Sequence, residues 1–137
     1  MNYPNKILVT GGAGFIGTNL IKRLLKEGHV VHSLDNYDSG LHSNEVDGCN
    51  YITGDIQEVY LMDKDFDVVF HLAALSRIQP SFEQPFETFR VNSEGTARVL
   101  EWARNTKTKV IYAGSSSQHY EPTQSPYACL LYTSDAA

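Results

Sequence analysis

The segment Thr10-Gly11-Gly12-Ala13-Gly14-Phe15-Ile16-Gly17 constrains this chain more than any other feature. Glycines stand at 11, 14 and 17, directly after a β-branched apolar run, Lys6 to Thr10 (KILVT). Beyond them Ile16, Leu20, Ile21, Leu24 and Leu25 recur at helical spacing, with Asn19, Lys22, Arg23 and Lys26 between. The pattern predicts a buried strand, a tight turn and an amphipathic helix that runs to about Glu27 and stops at Gly28. One glycine permits a sharp turn at positive φ. A second lets the main chain approach a pyrophosphate, and a third lets the helix pack close to the strand. Free amides and the helix dipole then favour a bound diphosphate. A ligand-free strand–helix turn is the plain alternative. The position of the motif, between a strand and an amphipathic helix, favours nucleotide binding.

The pattern continues along the chain. Val30 to Asp35 (VVHSLD) reads as a second strand, Asn36 to Gly48 as a polar loop, and Asn50 to Thr53 as a short third strand. Gln57 to Lys64 reads as a short helix and Asp67 to Leu72 (DVVFHL) as a fourth strand. Ser81 to Thr106 is mostly helical, with Pro80 and Pro85 at its entry and Phe89, Asn92, Thr96, Val99, Leu100 and Ala103 as face positions. Lys109 to Ala113 (KVIYA) is a fifth strand. Strands that alternate with helices, in runs apolar enough to be buried on both sides, predict a parallel sheet covered by helices. The expected fold class is α/β.

Asp35 ends the second strand about 20 residues past the glycine loop, where a carboxylate can hold the adenosine ribose hydroxyls. It would repel a 2′-phosphate. No Arg or Lys lies between Lys26 and Lys64 to attract one. NAD is therefore expected rather than NADP. The plain alternative for Asp35 is a turn residue before Asn36.

Composition narrows the function classes. The chain has 137 residues and a net charge of −5, which argues against a basic nucleic-acid or anionic-membrane surface. No apolar run approaches the roughly 20 residues of a membrane helix. There is no signal-peptide pattern, and two cysteines, Cys49 and Cys129, fit a reducing cytoplasm better than a disulfide scaffold.

Taken in order, GGAGFIG, LDN, GDI, HLAA, VNSEGT, YAGSSS and SPYA resemble the extended short-chain dehydrogenase/reductase family over about residues 5 to 128. Within it the chain is most similar to the NAD-dependent nucleotide-sugar epimerases and dehydratases, of the UDP-glucose 4-epimerase type. This family resemblance implies a Rossmann-type doubly wound sheet in order 3-2-1-4-5, cut short at its C-terminal end. A ligand would lie over the carboxyl ends of strands one and four, where the strand order reverses. The resemblance implies that Gly11, Gly14, Phe15, Ile16 and Gly17 contact the pyrophosphate, and that Asp35 and Asn36 bind the adenosine ribose. Asp55 and Ile56 would flank the adenine, with Asp55 accepting from its amine. Leu72, Ala73 and Ala74 would line the nicotinamide ribose, and Asn92 would steady the loop after strand four. Ser115, with Ser116 second and Ser117 also a candidate, and Tyr127 would be the acid–base pair of a reversible sugar oxidation. No metal site is implied. Plain alternatives stand beside these roles: a turn residue at Asp55, packing at Ala73 and Ala74, an ordinary helix polar residue at Asn92, a polar loop for the serines and a loop tyrosine at 127.

Two departures matter. The family places a lysine four residues after the tyrosine, where it lowers the phenol pKa, but position 131 is Leu131. The Ser115 to Tyr127 interval is also short for the family. The segment after the fifth strand lacks the Thr-Asp-Glu of the 4,6-dehydratases, so an epimerase or related oxidoreductase is expected. Residues 129–137 (CLLYTSDAA) do not resemble the family and can be read as TGT CTC TTA TAC ACA TCT GAC GCT GC, which resembles read-through of a transposon-based sequencing adapter. The expectation is an incomplete NAD-binding domain over 1–128 with a non-native tail. Its full-length parent would be active on a nucleotide sugar and homodimeric, and this chain inactive. The competing readings are a non-catalytic NAD-binding module, a dehydratase or reductase of the same family, and a complete short reductase.

Overall fold

The computed structural model describes residues 4–115. Ser116, Ser117, Tyr127, Cys129, Leu131 and the 129–137 tail lie outside them. Five strands form one parallel sheet: β1 Lys6–Thr10, β2 Val30–Asp35, β3 Asn50–Thr53, β4 Val68–His71 and β5 Lys109–Tyr112. Their order is β3-β2-β1-β4-β5, with every neighbouring pair parallel. The parallel sheet is the one that strand–helix alternation predicts, and its order 3-2-1-4-5 is the one the family resemblance implies.

Strand side chains alternate between the two faces, so each face gathers its own core. Ile7, Val9 and Val31 pack with Ile21 and Leu24 of α1, Phe15–Lys26. Leu8, Leu34 and Val69 pack on the other face with Ile56, Val59, Phe66, Val99, Trp102 and Ala103. Apart from Phe66, in the loop before β4, that second layer is a 3₁₀ helix, Ile56–Leu61, and the helix α4, Gly95–Thr106.

Several expectations need correction. The short helix starts at Ile56 rather than Gln57, is of 3₁₀ type and stops at Leu61. Asp55 and Glu58 form a capping box that sets its start, and Met62 is already extended. The long helix is not continuous. It begins at Ile78 with α2, Ile78–Glu83, where Pro80 sits in the first turn and costs no helical hydrogen bond. Gln84 then leaves the helical region (φ −133°), because Pro85 disfavours it for the preceding residue. Helix α3, Pro85–Phe89, follows and runs through a π turn, Arg90–Glu94, into α4. Among the expected face positions Ile16, Phe89 and Leu100 are exposed, whereas Asn92, Thr96, Val99 and Ala103 are buried. In the first turn of α1 it is Gly17 and Thr18, not Ile16, that are buried. The edge strand β5 is also more open than a doubly covered strand, with Ile111 and Tyr112 exposed.

Candidate functional site

The glycine loop joins β1 to α1 at the carboxyl edge of the sheet. Gly11 has φ +75°, and a Cβ there would lie 3.0 Å from the Ala73 amide nitrogen, so it is required by conformation and by close approach to the exit of β4. A Cβ on Gly17 would overlap the Gly11 carbonyl oxygen and come within 2.7 Å of Gly12 Cα. This is the close helix–strand contact inferred from the spacing. A Cβ on Gly14 would meet only the Gly11 oxygen, at 3.4 Å, which leaves that side of the loop open. No side chain caps the N-terminus of α1, and Phe15 beside it is 84% exposed. An uncapped helix start over an open glycine turn is a cradle for an anion, and a diphosphate fits it.

On the β2 side, Asp35 is buried and closes over the loop. Its Oδ2 accepts from the Ala13 amide (2.9 Å) and its Oδ1 from the Tyr37 amide (2.9 Å). The Ala13 carbonyl accepts from the Leu41 amide and from Asn44 Nδ2. Asp35 is thus both a turn residue and the anchor of the glycine loop. An ionised carboxylate offers about four acceptor sites, so two remain for hydroxyl donors. Asn36 is exposed, and its Oδ1 accepts from the Asp38 amide.

Asp55, after β3, is more heavily engaged. Its Oδ1 accepts from the Gln57 amide and from Arg90 Nη1, and its Oδ2 from Arg90 Nη2 (3.0 Å each for the guanidinium). Arg90 also binds Glu87 (2.6 Å), and its carbonyl accepts from Gln57 Nε2. The guanidinium holds the Asp55 carboxyl below its ordinary pKa, ahead of the opposing effect of burial. Ile56 is buried and tight against Gly95, where a Cβ would lie 2.7 Å from Ile56 Cγ2.

On the β4 side, Leu72 and Ala73 are partly buried and Ala74 is exposed. The Thr10 hydroxyl accepts from the amides of Leu72 (3.1 Å) and Ala73 (3.2 Å). Asn92 clamps the next stretch from the π turn: its Oδ1 accepts from the Leu75 amide (2.7 Å) and its Nδ2 donates to the Leu75 carbonyl (2.8 Å). Ser115 follows β5 by three residues. The sheet therefore gathers the glycine loop, Asp35, Asp55 and the Leu72–Ala74 stretch along one edge. Tyr127 lies outside the described residues.

Four polar residues of this edge went unassigned in the sequence: Thr10, His71, Thr96 and Arg90. His71 was detectable as an imidazole inside an apolar strand run, a group that must find partners when buried. Arg90 carried no signal of its own, because its partner Asp55 is 35 residues away.

The profile of the NAD dependent epimerase/dehydratase family matches residues 7–134. The chain belongs to that family. A UDP-N-acetyl-alpha-D-glucosaminuronate decarboxylase of Bacillus cytotoxicus is 35% identical over 128 residues, 86% of this chain and 39% of that protein. A UDP-glucose 4-epimerase of Halalkalibacterium halodurans is 35% identical over 126 residues, 88% of this chain and 37% of that protein. The crystal structure of UDP-glucose 4-epimerase from Brucella ovis in complex with NAD superposes with a TM-score of 0.85 at 30% identity, over 96% of this chain and 46% of that one. The chain spans about two fifths of the length of these curated relatives. Among the described residues no helix is long and apolar enough to cross a membrane.

Proposed function

We propose that this chain is the NAD-binding part of a nucleotide-sugar epimerase. The observation that carries this reading is the placement of the Asp35 carboxylate and the uncapped start of α1 on opposite sides of one glycine loop, where the strand order reverses. NAD, when bound, supplies a hydride acceptor and donor. The α1 amides and the loop of Gly11, Gly14, Phe15, Ile16 and Gly17 hold its diphosphate. Asp35 and Asn36 take the ribose hydroxyls of the adenosine, and Asp55 and Ile56 border the adenine. Leu72, Ala73 and Ala74 would line the dinucleotide's other half on the β4 side, with Asn92 holding the loop beyond them.

In the full-length parent, Tyr127 as phenolate takes the sugar hydroxyl proton and Ser115 donates a hydrogen bond to the same oxygen. A phenol with an ordinary pKa near 10 needs a neighbouring cation for this. The uninterrupted gene is therefore expected to read lysine four codons after Tyr127, with residues 129–137 non-native. The present chain, with Leu131 there, turns over no nucleotide sugar. Measurable epimerisation by the purified 137-residue chain would contradict this.

A nucleotide-sugar decarboxylase parent is the second reading, favoured by the Bacillus cytotoxicus relative. The proposal extends to a homodimeric parent, since Phe82, Phe86, Phe89 and Leu100 leave apolar side chains exposed on the helical layer. It also extends to a cytoplasmic location, which suits Cys49 as a free thiol. Calorimetric titration of the chain with NAD and NADP tests the cofactor reading: NAD binds, NADP binds more weakly, and Asp35→Ala weakens NAD. Preference for NADP would overturn it.

A further inference from the structure

His71 is buried at the end of β4, its ring stacked against Tyr112 of β5 (centroids 5.9 Å apart). Its Nδ1 lies 2.8 Å from the Thr10 hydroxyl and its Nε2 3.0 Å from the Thr96 hydroxyl. The other partners of the two hydroxyls assign the hydrogens along this series. The Thr96 hydroxyl donates to the Asn92 carbonyl (2.6 Å), so it accepts from His71, and Nε2 carries the hydrogen. The Thr10 oxygen accepts two amides, those of Leu72 and Ala73, the first of which it shares with the Thr10 carbonyl. With both lone pairs in use, Thr10 must donate its hydrogen, and the bare Nδ1 receives it. A cationic ring would point a second N–H at an oxygen with no lone pair left.

We propose that His71, neutral with its hydrogen on Nε2, is a positioning residue: it takes the Thr10 hydroxyl hydrogen and so keeps that oxygen free to hold the Leu72 and Ala73 amides, which shape the floor under the nicotinamide half of a bound dinucleotide. The inference rests on the NAD-binding reading. Asp35 assigns the adenosine half to the β2 side and the loop assigns the diphosphate to β1, so the remaining half lies over β4. Loss of the His71 acceptor lets the Thr10 hydroxyl turn toward another partner and release an amide. The β4 exit then moves, while Asp35 and the α1 start stay where they are. A residue with only a stabilising role would change all ligand affinities together.

The test compares NAD with ADP, which lacks the nicotinamide half, on the 137-residue chain. His71→Leu is expected to weaken NAD roughly tenfold while leaving ADP within about twofold, as for one lost buried hydrogen bond. His71→Asn, whose Oδ1 can occupy the Nδ1 position as an acceptor, is expected to restore NAD affinity to within about threefold. Should His71→Leu fail to fold, Thr10→Val against Thr10→Ser makes the same comparison, with loss of NAD selectivity in the first and retention in the second. Equal losses of NAD and ADP, or no rescue by His71→Asn, would overturn the inference and leave the NAD-binding reading intact. Failure of the unaltered chain to bind either ligand would overturn both.

Discussion

Two polar clusters fasten the carboxyl edge of the sheet, and they do so by opposite means. Thr10, His71 and Thr96 are buried and uncharged, with every hydrogen of the ring's bonds directed to a partner. Asp55, Arg90 and Glu87 are ionised, with about a third of the Arg90 and Asp55 side chains exposed. The first joins β1, β4 and α4. The second joins the turn after β3 to the π turn. In a dry interior a neutral, fully paired group is stable where a charge would pay heavily in lost hydration. Near water, charge is cheap to keep but weak in effect, because solvent screens it. The π turn serves both clusters, since Arg90 reaches Asp55 and Asn92 reaches Leu75. Wide turns of this kind often mark functional sites.

The comparison has consequences that separate the clusters. The largest concerns acid. Burial lowers the His71 pKa to about 4, so the unfolded chain binds a proton there before the folded one does. Its stabilising contribution is complete above about pH 6.5 and declines as pH falls toward 4, by about 3 kcal/mol. Urea titrations at successive pH values should show that decline, and His71→Asn should flatten it. An unchanged slope in the variant would assign the decline to other groups. Asp55 acts in a lower window. Its pKa is depressed, chiefly by Arg90, so its contribution persists at neutral pH and is lost only below the ordinary carboxylate range near pH 4. Arg90→Gln should therefore change the slope of the profile below about pH 4 and leave the slope of the upper window as it was.

The next effects come from single side chains at pH 7. Thr96→Val leaves the Nε2 hydrogen of His71 without an acceptor in a buried site, and should cost about 2 kcal/mol in chemical denaturation. Gly17→Ala drives a methyl group into the Gly11 carbonyl and should cost about 2 kcal/mol, with loss of dinucleotide affinity because the loop itself must shift. Arg90→Gln breaks a partly exposed pair and should cost about 1 kcal/mol or less. The smallest effect is that of salt. Raising NaCl from 0.05 to about 0.5 M should shrink the Arg90→Gln difference and leave the Thr96→Val difference unchanged, because screening acts on exposed charges and not on buried neutral bonds. Equal salt responses would erase the distinction between the clusters.

Much of the fold was legible along the chain. The strands, the glycine loop and the Asp35 position follow from local runs of residues, since a buried strand, a turn and an amphipathic helix each write their period within a few positions, whereas the strand order came with the family resemblance. The helix over 81–106 shows where that reading stops. Its apolar spacing was visible, but the break at Gln84 depends on the clash imposed by Pro85, and the π turn on contacts with Asp55, Gln57 and Leu75. Phe89 and Leu100 fit the helical period yet face outward, because spacing identifies a stripe without saying what covers it. The site divides in the same way. Gly11 and Gly17 were readable because backbone approach demands a residue without a side chain. Asp55 was readable as a turn residue, but its engagement with Arg90 was not.

From the order of its residues alone, this chain specifies a parallel α/β sheet with a diphosphate-sized glycine turn and an acidic residue at the end of the second strand. These are local properties, set by backbone sterics and by periods of two and 3.6 residues. Which polar groups meet across the edge is another matter. Thr10 and His71 are 61 residues apart, and His71 and Thr96 are 25 apart. Their partnership, the tautomer it imposes and the burial that keeps the ring neutral exist only once three separate elements have packed together. Hydrogen bonds and desolvation act over a few ångströms of space, and sequence distance carries no record of that.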